Sequence, residues 1–266
     1  MLRDYLSRRR PDKCLSLFVT AGFPSPDATV PLVQLLVHAG ADLIELGVPF
    51  SDPLADGPTI QAASSVALQQ GMTLAKVIEM AHDLAARVSV PIILMGYFNP
   101  ILQFGVERFI AAAAKARVAG LIIPDLPVEE SLALRDAAWQ SGLSLIYLAA
   151  PNTPAARLSQ IDRLTSGFVY ATSVTGVTGA RDQVAAVAVP MLGTMRACVH
   201  HPIFVGFGVS SAGDVEQLSQ HCDGVIVGSA LLRQIERHWG TAGGGHEIER
   251  FVVDLKSALR ERPDGH

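Results

Sequence analysis

Cysteine is scarce and unpatterned in this chain. Cys14, Cys198 and Cys222 are odd in number and lack metal-type spacing. That excludes a disulfide scaffold and a zinc module, and it points to reduced thiols in a cytoplasmic protein. Charged residues are also few, at 17% of 266 residues, with a net charge of −4. Such a surface does not suit a polyanion, so nucleic acid is not an expected partner. No apolar run approaches the roughly 18 residues of a bilayer span, so no membrane association is expected. No Gly-x-Ser-x-Gly elbow or Walker loop occurs, and His246-Glu247 has no second histidine four residues on. His200-His201 precedes a strand and reads as surface. No metal and no organic cofactor is called for. The arginine-rich start, Met1–Arg10, is short for a transit peptide and reads as a helix packed on the domain.

What is abundant is apolar sequence, 49% of the chain. Eight β-branched-rich runs recur every 20 to 35 residues: Leu15–Thr20, Asp42–Gly47, Pro91–Tyr97, Gly120–Pro124, Leu143–Ala149, Gly167–Thr172, Pro202–Gly206 and Gly224–Gly228. Near-continuous apolar strands are what a parallel sheet buried on both faces produces. Helical spacing fills the intervals, over Ala28–His38, Thr59–Gln70, Leu74–Val88, Val106–Val118, Glu129–Trp139, Pro154–Leu164, Gln183–Ala197, Ala212–Ser219 and Ala230–His238. The longer connection falls after the second strand. The profile is an α/β protein, a (β/α)8 TIM barrel with extra N-terminal and C-terminal helices, and residues 1–266 form a single domain. An open doubly wound sheet is the competing architecture, but its Gly-x-Gly-x-x-Gly turn is missing after the first strand. The patch Gly240–Gly245 reads as a flexible connector to a last helix near Glu247–Arg260.

A barrel places its chemistry at the carboxyl ends of its strands. The second strand carries Glu45 inside Leu43-Ile44-Glu45-Leu46, where an ionised side chain is costly to desolvate. Asp52 and Asp56 follow on a loop stiffened by Pro49, Pro53 and Pro58. Carboxylates in unlike environments suit acid/base chemistry. A structural reading also exists, with Asp56 as helix N-cap ahead of Pro58. Gly176, Gly179, Gly206, Gly208 and Gly228 present backbone N–H groups at the ends of strands six to eight, and Ser229 opens a helix there, which points to phosphate. Glycines at strand ends also occur simply as turn formers. Thr172–Ala180, small and polar, is a lid candidate with Tyr170 beside it.

The stretch Leu46-Gly-Val-Pro-Phe-Ser-Asp-Pro-Leu-Ala-Asp-Gly-Pro-Thr-Ile-Gln61 closely resembles the tryptophan synthase alpha chain family. So do Phe18-Val-Thr-Ala-Gly22, Asn99-Pro100, Pro124-Asp-Leu-Pro-Val-Glu-Glu130, Gly176-Val-Thr-Gly179, Gly206-Phe-Gly208 and Gly228-Ser-Ala230. The resemblance spans about Leu15 to Trp239. It implies a carbon–carbon lyase that cleaves indole-3-glycerol phosphate to indole and glyceraldehyde 3-phosphate and passes indole to a beta subunit in an alpha2beta2 tetramer. It further implies Glu45 as acid/base, Asp56 as partner of the indole N–H, and Tyr170 as a third catalytic position. By the same resemblance Gly179, Gly206, Gly208, Gly228 and Ser229 hold the phosphate, while Phe18, Met95 and Ile122 surround the indole. Thr178 closes the lid onto Asp56, and Asp52, Pro53 and Asn99 touch the partner. Gly96 stands where the family commonly has a hydroxyl residue. A stand-alone lyase and a silent activating subunit are the alternatives.

Overall fold

A computed structural model describes residues 2–172, 181–206 and 208–259. Its strands are β1 (Cys14–Thr20), β2 (Leu43–Gly47), β3 (Ile92–Met95), β4 (Gly120–Ile122), β5 (Ser144–Ile146), β6 (Leu148–Ala149), β7 (Val169–Thr172), β8 (Ile203–Gly206) and β9 (Gly224–Val227). The strand pairings among the described residues are all parallel, in the order β5-β4-β3-β2-β1-β9-β8-β7-β6. The two ends of that order are consecutive in the chain, separated only by Tyr147. The ring therefore closes through the backbone itself, as a (β/α)8 barrel whose fifth strand is divided where it changes partner from β4 to β7. The expected strand Leu143–Ala149 is thus two short pieces.

Two packing layers explain why the strands read as continuous apolar runs. Outward-facing residues such as Leu17, Ile44, Leu94 and Val225 pack with the helices. The alternate residues fill the barrel, among them Cys14, Leu43, Ile93, Ile122, Ile146, Phe168, Phe204 and Ile226. Phe168 and Phe204 stack there at 4.2 Å. Leu2 and Leu6 of α1 (Leu2–Arg9) join this inner cluster, so the amino-terminal helix closes the amino end of the barrel. Asp42, 3% exposed, ties that end together: it accepts from Leu15 N–H at 2.7 Å and Lys256 Nζ at 2.5 Å, and it pairs with Arg9.

Outside the ring run α2 (Pro26–His38), α3 (Pro58–Gln69), α4 (Leu74–Arg87), α5 (Phe98–Phe104), α6 (Val106–Lys115), α7 (Leu132–Gln140), α8 (Ala155–Leu164), α9 (Arg181–Cys198), α10 (Ala212–Ser219), α11 (Ser229–His238) and α12 (Gly244–Ala258). The second connection holds two helices, α3 and α4. Helix α5 was not expected from the sequence: Asn99 and Pro100 lie in its first turn rather than in a loop, because a first-turn proline has no intrahelical N–H bond to lose. The Gly240–Gly245 patch is a tight turn rather than a flexible connector. Gly243 has φ +76°, and a Cβ on Gly244 would lie 1.8 Å from the His238 carbonyl oxygen. Among the described residues no helix is long and apolar enough to cross a membrane.

Candidate active site

Alternation along β2 puts Glu45 on the same side as Leu43, inside the barrel. It is fully buried. Ser16 Oγ donates to Glu45 Oε1 at 2.6 Å, while Oε2 has no partner among the described residues. Burial pushes the carboxyl up to about 7, with the Ser16 hydrogen bond pulling the other way. Near neutral pH this group is poised both to give and to take a proton.

Asp56 sits on the loop between β2 and α3. Gly57, not Asp56, is the N-cap of that helix, and Pro58 is its first residue, so the aspartate is not consumed by capping. Burial raises its carboxyl to about 6, and a hydrogen bond from the Tyr97 hydroxyl opposes that rise. The same Tyr97 oxygen accepts the Ala55 N–H at 3.0 Å, which holds the loop against the end of β3. Tyr170, on β7, has its phenol pushed well above its ordinary value by burial and then by the charges of Glu45 and Asp56. It therefore remains a proton-bearing donor in a field set by both carboxylates.

A narrow cavity of about 10 Å³ opens beside Asp56, lined by Phe18, Thr20, Gly47, Met95 and Tyr97 among others. That is room for about one water, so an aromatic ring enters only as the walls move apart. Unbranched Met95 is the wall suited to move. Ile122 does not line this cavity. It is fully buried in the barrel, in register with Met95. Glycine at 47 is demanded by packing, since a Cβ there would lie 2.5 Å from the Phe18 ring. Gly96 has an equally plain reason, because a Cβ would lie 2.9 Å from Val48 Cβ.

The glycine-rich strand ends adjoin the same side chains. A Cβ on Gly206 would meet the Tyr170 hydroxyl at 2.5 Å, and one on Gly228 would meet Phe18 Cβ at 3.4 Å. Gly228 is the N-cap of α11 and Ser229 its first residue, with no side chain among the described residues capping that end. The neighbouring α10 is different: Asp214 accepts from Ser210 N–H at 2.8 Å and Ser211 N–H at 2.9 Å. Of these two helix ends, α11 is the one whose dipole no side chain of the described residues caps. Gly208, at φ +52°, has none of the described residues within 4 Å of where a Cβ would be. Gly176, Thr178, Gly179 and most of the expected lid lie outside the described residues.

Asp52 is exposed and accepts from Ser51 Oγ at 2.5 Å. The Pro53 carbonyl accepts the Asp56 N–H at 3.0 Å, and Asn99 is exposed on α5. Leu54, between them in the loop, is 90% exposed, and Leu102 on α5 is 54% exposed. Sequence reasoning missed Ser16, Thr20 and Tyr97. Ser16 and Thr20 are hydroxyl residues in an apolar strand, which was a visible signal, and the Thr20 Oγ1 is buried without a partner among the described residues. Tyr97 carried no comparable signal.

Fold and site together define a (β/α)8 barrel that carries two burial-raised carboxyls, Glu45 on its second strand and Asp56 on the loop that follows. Residues 7–259 match the family model described as tryptophan synthase alpha chain. Tryptophan synthase alpha chains from Geobacter sulfurreducens and a Picosynechococcus species are 45% and 47% identical to it, over 93% and 91% of this chain and 93% and 92% of theirs. A crystal structure of tryptophan synthase subunit alpha from Legionella pneumophila superposes with a TM-score of 0.89 at 33% identity, covering 97% of each chain. A structure of Mycobacterium tuberculosis tryptophan synthase matches with a TM-score of 0.89 at 34% identity, covering 98% of each chain. The chain belongs to the tryptophan synthase alpha chain family.

Proposed function

We propose that the chain is a lyase that cleaves indole-3-glycerol phosphate to indole and glyceraldehyde 3-phosphate, and that it hands indole to a beta subunit in an alpha2beta2 tetramer. The observation that carries this reading is the pair of carboxyls, raised to about 7 and about 6, acting on one tyrosine.

Protonated Glu45 gives its proton to the ring carbon that bears the glycerol chain. The ring nitrogen becomes positive, and ionised Asp56 accepts its N–H and compensates that charge. The carbon–carbon bond then breaks: its electron pair returns to the ring, and the adjacent hydroxyl becomes the aldehyde as its proton passes to the Glu45 carboxylate. The donated proton is thereby recovered. Tyr170 donates a hydrogen bond beside this centre. Phosphate at Gly206, Gly208, Gly228 and Ser229 anchors the far end of the substrate, so remote binding energy holds the reacting carbon in place. Gly179 and Thr178 complete the phosphate site and the lid latch in this proposal. Phe18, Met95 and Ile122 form and back the wall around the ring. Exposed Leu54, with Asp52, Pro53 and Asn99, is the rim offered to the beta subunit. Cys14, Cys198 and Cys222 are free thiols, in keeping with work in the cytoplasm.

Indole release from indole-3-glycerol phosphate, measured alone and with a tryptophan synthase beta chain, tests the proposal. The expected result is slow release alone and an increase of roughly a hundredfold with the partner, comparable to an ordered catalytic group. No indole under either condition defeats it, and release unchanged by the partner would make this a stand-alone lyase.

Ser16→Ala removes the one hydrogen bond that, among the described residues, favours the charged form of Glu45. The high-pH limb of the rate profile is then expected to move upward by roughly one pH unit, since a hydrogen bond to a charged group is worth about that much. An unmoved limb would separate Ser16 from the titration of Glu45.

A further inference from the structure

We propose a second ligand site at the amino ends of the strands, on the face opposite the catalytic mouth, that takes a small phosphate carried on a planar ring. Two cavities of about 230 and 320 Å³ lie there and adjoin, since Arg3 and His201 line both. Arg10 lines the smaller, Arg163 and Trp139 the larger. Volumes of this order suit a small molecule rather than a chain segment.

Charge is the first argument. Arg135 in the larger cavity is already paired with Asp136 at 2.5 Å, and His200 and His201 are held by Asp162 at 3.0 and 2.9 Å. The guanidiniums of Arg3, Arg10 and Arg163 make no ion pair or side-chain hydrogen bond among the described residues. Three uncompensated cations border one concavity in a chain of net charge −4. Guanidinium forks match phosphate oxygens in geometry as well as in sign.

A second observation is independent of charge. Thr165 is 5% exposed, lines the larger cavity, and its Oγ1 has no hydrogen-bond partner among the described residues. A buried hydroxyl left without a partner is destabilising, and a rotation of Thr165 towards the cavity would let a ligand oxygen satisfy it. Trp139, 48% exposed on the same wall, supplies a flat apolar face of the sort that ring systems stack on. Phosphate for the arginines and a planar ring for the tryptophan together describe the ligand class.

Adenosine monophosphate, inorganic phosphate and adenosine are the probes, with binding followed by calorimetry and by tryptophan fluorescence of the full chain. The monophosphate is expected to bind most tightly and to quench Trp139. Arg3→Ala and Arg163→Ala should each weaken it about tenfold. Trp139→Leu should reduce its affinity to that of inorganic phosphate. Thr165→Val should weaken binding while raising the melting temperature of the free protein, because it removes a hydroxyl that has no partner there. Binding that survives both arginine substitutions belongs to the catalytic phosphate site and overturns the proposal, as does the absence of monophosphate binding at millimolar concentration. Equal affinity for the monophosphate and for inorganic phosphate overturns the ring. None of these outcomes depends on the chain cleaving indole-3-glycerol phosphate.

Discussion

Glu45→Gln is expected to lower turnover of indole-3-glycerol phosphate roughly a thousandfold or more, the upper part of the range for a positioned acid/base group. The expectation is at that end because the same carboxyl gives the proton and takes it back. Binding should change little, since glutamine keeps the shape and can keep a hydrogen bond with Ser16. Stability should move the opposite way. The carboxyl titrates at about 7 when folded and near 4.5 when exposed. As pH rises, the unfolded chain loses this proton first, so the stability held below pH 4.5 is lost progressively up to about pH 7. Above that the loss is on the order of 3 kcal/mol. Glutamine does not titrate, so the variant should melt several degrees higher than the parent at pH 8 and gain much less at pH 5. Residual turnover within tenfold of the parent removes Glu45 from its role. A melting difference that does not grow with pH removes the burial argument.

Asp56→Asn is the second large effect. Turnover should fall roughly a hundredfold, the scale of losing one preorganised group that meets developing charge. The pH profile is the sharper readout. The parent needs Asp56 ionised and Glu45 protonated, so its rate should rise through about pH 6 and fall beyond about pH 7. In the variant the rising limb should vanish while the falling limb stays. A rising limb that persists near pH 6 would assign it to another group. The variant also keeps a side chain that can accept from the Tyr97 hydroxyl, so the loop contact through Ala55 should survive.

Much of this site was legible along the chain because the evidence was local. An acid inside Leu43–Leu46, prolines hemming Asp56 and glycines at three strand ends are each visible within a few residues. What escaped was set by distant neighbours. Ser16 and Glu45 are 29 residues apart and meet only because β1 and β2 pair in a register that places Phe18 opposite Glu45. Tyr97 reaches Ala55 across 42 positions. Helix α5 was hidden by Pro100, a residue that usually ends helices but is harmless in a first turn. The division of the fifth strand at Tyr147 reflects a change of neighbour, which no local pattern records.

By itself the sequence determined the number of βα units, the apolar run of β2 in which Glu45 lies, and the placing of glycine where strands hand over to loops, because each follows from a short-range period or a backbone requirement. Tertiary structure alone decided how strongly the two carboxyls hold their protons, and which hydroxyls, of Ser16 and Tyr97, donate to them. Those depend on burial and on contacts between residues far apart in the chain. Desolvation acts through everything that surrounds a group, and only the closed barrel provides those surroundings.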